Sequence, residues 1–281
     1  MNNLYRELAP ISDAAWADLE EEARRTFATY VVGRRIVDVD GPGGPTLSAV
    51  NTGRLNLLTH PSKPSDPIKD VQIDLRRSQP LARLRKAFTL SRDEIDSVER
   101  GAQDADWQPL KDAAKGIGFA EDRGIFDGYL ESAGVESLRQ ASSNPELSLP
   151  ADPTEYPDVI VDALTALRGA GVNGPYALAL STPAYDALSV TTEHGYPIRR
   201  LVEQVFDGQI LWAPNIDGAF LLSTRGGDYT LALGQDLSIG YLSHDENSVQ
   251  LYFEESLTFM VHTTEAIAAI NPAPGTPPAQ P

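Results

Sequence analysis

Residues Ser48 to Leu84 read as two long strands joined by a polar tip, "THPSKPSDP", which holds three prolines. A two-stranded ribbon of this length has little core of its own and is marginal alone. It must lie on something. From Arg54 to Lys86 there are eight Lys or Arg against three Asp, a local charge of +5 in a chain of net −17, so the rest carries −22. A basic ribbon and an acidic body suit contact between copies, each ribbon lying on a neighbour's body. Charges scattered along a solvated loop are the competing reading.

The remainder of the 281 residues can supply that body, since 41% hydrophobic residues support a sizeable core in one large domain or two ordinary ones. The acidic balance argues against a general nucleic-acid binder, which needs surplus Lys and Arg. With no cysteine, disulfides, thiolate catalysis and Cys-based metal sites are excluded. The start, MNNLYRELAPISDAAW, lacks a basic region followed by an apolar one, and no run reaches about 18 apolar residues. The expectation is a soluble cytoplasmic protein with no membrane partner.

Hydrophobic period sets the elements. Trp16, Leu19, Ala23, Phe27 and Tyr30 recur at three- and four-residue steps and predict a helix from about Ser12 to Val32, with Ser12 or Asp13 as cap and Gly33 as stop. Ile36 to Val39 predicts a short strand before the turn at Gly41 to Gly44. Ser91 with Glu94 forms a capping-box pattern for a helix that ends at Gly101. A long helix follows from about Asp106 to Leu130, with Pro109 in its first turn. Glu121 falls on its apolar stripe, either as a buried carboxylate with a partner or at the stripe's edge. From Asp152 to Thr224 the texture is α/β, with Asp152 as cap and Pro153 after it. Beyond it, Tyr229, Leu231 and Leu233 alternate, as do Leu237, Ile239 and Tyr241, then Val249, Leu251 and Phe253, in a series of antiparallel strands. The tail, Asn271 to Pro281, has five prolines in eleven residues and reads as disordered or polyproline-like.

Catalytic patterns are missing. His60, His194, His244 and His262 have no G-x-S-x-G serine to serve, and no two have metal-ligand spacing. There is no P-loop and no G-x-G-x-x-G between strand and helix. "RGGDY", Arg225 to Tyr229, lies between two strands, and a tight turn accounts for Gly226 and Gly227. The loop "TTEHGYPIRR" places Glu193, His194 and Tyr196 on a turn before a helix. It is either a lid carrying a histidine base or the lining of an opening, where copies around an axis would make a ring of charge.

Eight segments in order carry a family likeness: "MNNLYRELAPIS" with Trp16, "GRRIVDVDGPGG", "AFTLSRDEIDSVERG", "AEDRGIF", "GVNGPYALALS", "HGYPIRR", "RGGDYTLALGQDLSIGYLSHD" and "LYFEESLTF". They cover nearly all of residues 1–270. The chain resembles the encapsulins of the linocin-like group, shell proteins of bacterial nanocompartments, and the actinobacterial members in texture.

The resemblance implies an α+β chain with the major-capsid fold of tailed phages. Its parts would be an N-terminal helix and the start of a peripheral domain (1–47), an extended loop (48–86), the peripheral domain with a spine helix (87–131), an axial domain (132–223), the peripheral sheet (224–270) and a flexible exterior tail (271–281). It implies a self-assembled shell, about sixty copies in the smallest T=1 form, closed by heterologous contacts. Cargo enzymes, a dye-decolourising peroxidase or a ferritin-like protein, would enter by a C-terminal targeting peptide. The matching docking positions are Phe27, Tyr30, Arg34, Val37, Asp38, Asp236, Leu237 and Ile239, with the last strand's side chains exposed to the peptide. The matching five-fold pore positions are Glu193, His194, Gly195, Tyr196 and Pro197. No catalytic residue and no metal site is implied. Where some relatives stack a flavin on tryptophan, this chain has Asp93, so no cofactor is expected. A secreted bacteriocin-like protein, a label this group has also carried, is the alternative; the acidic charge counts against it. A hydrolase built on His194 or His262 ranks third, lacking a nucleophile motif.

Overall fold

The structure is a computed structural model that describes residues 3–58, 71, 73–273 and 275. The expected ribbon tip (59–67) with His60, and most of the proline-rich tail, lie outside the described residues.

From the N-terminus, a 3-10 turn (Arg6–Leu8) leads to α1 (Asp13–Tyr30) and a second turn (Gly33–Arg35). Four strands follow: β1 (Asp38–Asp40), β2 (Ala49–Leu58), β3 (Ile73–Pro80) and β4 (Ala82–Ser91). Next come α2 (Arg92–Glu99), the long α3 (Gln108–Phe126), α4 (Leu138–Ala141), β5 (Leu147–Ser148), α5 (Tyr156–Gly169), β6 (Tyr176–Leu180) and α6 (Thr182–Val190). A hairpin of β7 (Thr192–Glu193) and β8 (Tyr196–Pro197) precedes α7 (Ile198–Val205). The chain ends with β9 (Gly208–Trp212), β10 (Ala219–Ser223), β11 (Tyr229–Leu233), β12 (Ser238–His244), β13 (Ser248–Val261) and β14 (Ile267–Asn271).

Two five-stranded sheets organise the molecule. In the first, β13 is central. β4 runs antiparallel along one of its edges, and β12 and β11 share the other end to end. β1 adds a parallel edge to β11. The second sheet runs β5, β14, β10, β6, β9, with α5 and α6 packed against it and α7 against both helices. β14 follows the first-sheet strands in sequence yet pairs with β10, so residues 224–270 do not all stay in one sheet. Four of its five residues are apolar and largely buried, and the partner edge is the inner strand of the second layer.

α1 and α3 cross beneath the first sheet. The α1 stripe buries Ala15, Trp16, Leu19, Ala23 and Phe27 as its spacing requires, each large side chain contributing roughly 1.5–3 kcal/mol. Gly118 permits the close approach, because a Cβ there would meet Val31 Cγ2 at 3.0 Å and the Phe27 ring at 3.5 Å. Ser12 caps α1 by accepting from the Ala15 amide.

Two cap expectations are corrected. α1 ends at Val31, in extended backbone, before Gly33 is reached. Gly33 serves packing instead: a Cβ there would lie 2.5 Å from Ile125 Cδ1. The Ser91–Glu94 capping box does not form. Glu94 Oε2 accepts from the Asp106 amide at 2.9 Å, so the carboxylate serves the approach to α3, a stronger demand than its own helix's end.

Candidate functional site

A groove of about 590 Å3 opens between α1 and the start of β12. One wall is α1, from the edge of its buried stripe (Ala23, Phe27, Val31) to its more exposed side (Glu20, Arg24, Ala28). The other is Asp236, Leu237, Ser238 and Ile239, with Phe253 behind. Helix spacing puts residues 20, 24, 27, 28 and 31 on one side, and strand alternation turns Leu237 and Ile239 the same way. The N-terminal segment closes one end. The Tyr241 amide donates to the Leu4 carbonyl at 2.8 Å, which occupies part of the free edge of β12. Arg6 stacks over Trp16 and pairs with Glu20 at 2.6 Å.

Arg34 crosses the floor and is almost fully engaged. Its Nε donates to Glu121 Oε1 at 2.8 Å and its Nη2 to Glu121 Oε2 at 2.7 Å. Nη2 also reaches Glu255 Oε2 at 3.3 Å, and Nη1 donates to Asp236 Oδ1 at 2.7 Å. The guanidinium lies 4.9 Å over the Phe27 ring. Burial alone would lower the Arg34 pKa; bonds to Glu121 and Asp236 outweigh it and hold the charge more firmly than usual. Glu121 is thus a buried carboxylate with a partner.

The expected docking residues separate into two groups. Phe27, Arg34, Asp236, Leu237 and Ile239 meet in the groove. Tyr30, Val37 and Asp38 do not line it. Tyr30 points to the far side of α1, edge-on to Phe119 and near Trp212. Val37 is buried. Asp38 accepts from the Gly227 amide at 2.5 Å and ties down the Gly226–Gly227 turn. Ile239 was expected exposed but is 4% exposed, because it sits opposite Phe253 on the face that covers α1. The sequence reading missed Leu4, Arg6, Arg24, Ala28 and Arg35. Only the spacing of 24 and 28 from Phe27 signalled any of them. Arg24 and Arg35 are exposed and have no ion-pair partner among the described residues.

The five expected pore residues form one exposed hairpin tip. His194 and Gly195 have φ of 48° and 83°, the positive pair a tight two-residue turn requires. The Tyr196 hydroxyl accepts from Gln204 Nε2 at 3.1 Å and steadies the tip on α7. Asp93 lies in the first turn of α2, where its charge suits the helix N-terminus.

The family model for Linocin_M18, "Encapsulating protein for peroxidase", matches residues 1–258. The type 1 encapsulin shell protein of Rhodococcus erythropolis is 58% identical over 271 residues, 96% of this chain and all of that one. That of Mycobacterium tuberculosis is 55% identical over the same shares of both chains. This chain belongs to the encapsulin shell proteins. The encapsulin fold is seen in a virus-like particle from Pyrococcus furiosus, with TM-score 0.62 and 15% identity over 90% of this chain and 98% of that one. The Gordonia phage Cozz structure shares it, with TM-score 0.56 and 10% identity over 85% of both chains. Encapsulin shell proteins are structural. His262 Nε2 meets the Thr230 hydroxyl at 3.0 Å, and His244 Nδ1 meets the Tyr241 hydroxyl at 2.6 Å. Among the described residues, no helix is long and apolar enough to cross a membrane.

Proposed function

We propose that this encapsulin closes into a cytoplasmic icosahedral shell of about sixty copies and captures a peroxidase by that enzyme's C-terminal peptide. The carrying observation is the groove's chemistry. Apolar walls (Ala23, Phe27, Val31, Leu237, Ile239) face each other, and unpaired Arg24 and Arg35 stand at the rim. A short extended peptide with apolar side chains fills such a groove, and its free carboxylate or an acidic side chain answers the two arginines. Oligomeric cargo multiplies a weak contact. The hairpin at Glu193 to Pro197 is proposed as the pore rim, its exposed tip repeating around the five-fold axis.

The test uses Arg24→Glu with Ala28→Glu, both exposed on the groove face of α1. Shells should form at normal yield but come out empty when a reporter ending in the peroxidase's C-terminal segment is co-produced. Full loading would refute the groove. Replacing Arg34, Asp38 and Ile239 is a poorer test, since the three serve an ion cluster, a turn and the core. Deleting Glu193 to Tyr196 should change small-molecule access to an encapsulated enzyme; unchanged access would remove the pore assignment.

A further inference from the structure

The carboxyl groups around Arg34 outnumber it three to one, and Glu121 and Glu255 are fully buried. Glu121 takes the guanidinium fork with both oxygens, whereas Glu255 reaches only the shared Nη2. The other Glu255 oxygen, Oε1, is buried with no partner for a carboxylate's lone pairs. The two carboxyls meet at one nitrogen, Arg34 Nη2, which lies 2.7 Å from Glu121 Oε2 and 3.3 Å from Glu255 Oε2, so they stand side by side. Two buried carboxylates in contact repel; a single proton between them turns the repulsion into a bond.

We propose that Glu255 holds that proton at neutral pH, donates it to Glu121, and thereby acts as the positioning residue that keeps Arg34 stretched between Glu121 and Asp236 at the groove. The positioning part rests on the docking role proposed above. Glu255 is the bearer because Glu121 is already neutralised by the fork. Burial is the main influence holding Glu255 well above the ordinary carboxyl range, and the Glu121 charge adds to it. Burial raises Glu121 as well, opposed by Arg34.

Several elements pack around the pair. α1 contributes the Phe27 ring. β4 sets Leu84 opposite Glu255, and the next charge on that face, Lys86, turns away to the Asp112 carbonyl at 3.4 Å. α3 adds Asp122, which is bound to the Val32 and Gly33 amides. The segment before β12 adds Asp236. Arg34 is the only cation paired with Glu121 or Glu255 among the described residues. Loss of the proton therefore puts an uncompensated charge beside Glu121. Arg34 is drawn inward to meet it, away from Asp236.

Glu255→Gln tests this, because its amide N–H replaces the acid O–H without changing shape. Beside the band of neutral Asp122, which both proteins keep, intact wild-type shells at neutral pH should show a second infrared carbonyl band of a neutral carboxyl, and the Gln variant should lack that second band. Raising the pH should abolish the second band and, over the same range, wild-type loading of the peroxidase-tail reporter; the Gln variant should keep loading. A wild type without the second band, or a Gln variant that loses loading in parallel, overturns the proposal. Shells of both kinds that load nothing at any pH overturn the docking reading and the positioning role with it, while the second band still decides where the proton sits.

Discussion

Asp122 shows how one side chain fixes a helix exit and makes it sensitive to pH. Its oxygens accept from the Val32 amide at 2.9 Å and the Gly33 amide at 2.8 Å, where the chain leaves α1. Burial pushes its pKa from the ordinary 3.8 up to about 8, against the pull of those two amides. The folded-state value is the higher one, so the folded chain holds a proton that the unfolded chain releases. Stability is then greatest below the ordinary value and falls as pH rises toward about 8. Asp122→Asn should flatten this fall as read from denaturant midpoints across the window. It should cost little at the acid end, because Oδ1 alone reaches both amides, Val32 at 3.1 Å and Gly33 at 2.8 Å, and the Asn carbonyl can take its place. A variant with the wild-type slope would show that another group carries the proton. None of this was legible in "AEDRGIF", where Glu121 and Asp122 are neighbours and only Glu121 lay on the predicted stripe.

Among the elements, the seam between the two layers depends on Arg139 of α4. Its Nε donates to Asp127 Oδ1 at 2.8 Å beyond the end of α3, and its Nη1 to Asn271 Oδ1 at 2.9 Å at the end of β14. Its Nη2 donates to the Asp217 carbonyl before β10, and the guanidinium lies 4.5 Å over the Phe220 ring. Burial raises the Asp127 pKa and Arg139 opposes it, so the carboxylate depends on this partner. Arg139→Ala should lower stability by about 3–5 kcal/mol, because it leaves a buried charge unpaired. Arg139→Lys should recover only part, since a point charge cannot serve three acceptors set in a fan. Denaturant midpoints of the two variants decide this; equal midpoints would remove the fan geometry from the account. The helices α1 and α3 and the strands of the ribbon were legible because their signal is local period. The Arg139 seam spans 132 residues to Asn271 and left no periodic trace. Glu94 was misread for a related reason: its acceptor was claimed by a backbone amide outside its own helix.

At the scale of the whole molecule, the ribbon is the part a single chain cannot complete. Pairing sets Leu55 beside Arg76 and Leu57 beside Asp74 on one face, and Asn56 beside Leu75 and Leu58 beside Ile73 on the other. Leu55, Leu57, Leu58, Ile73 and Leu75 are all exposed, so both faces present apolar side chains to water. Close to the ribbon's base, Gln79 Nε2 donates to the Gly134 carbonyl at 2.8 Å. Apolar faces of this kind mark an interaction surface, and the basic excess of residues 54–86 fits the acidic remainder of another copy. Leu58→Asp with Leu75→Asp changes only the apolar face and touches no core residue. The prediction is a folded subunit, with circular dichroism and a melting transition like the parent's, that forms no particles by size-exclusion chromatography or electron microscopy. The parent's particles should in turn loosen as salt rises, since screening weakens the contact of a basic ribbon with an acidic body. Normal particles from the double variant would move the assembly contact off this face. A subunit that fails to fold would instead mean that the ribbon packs against its own body, which the exposure of both faces argues against.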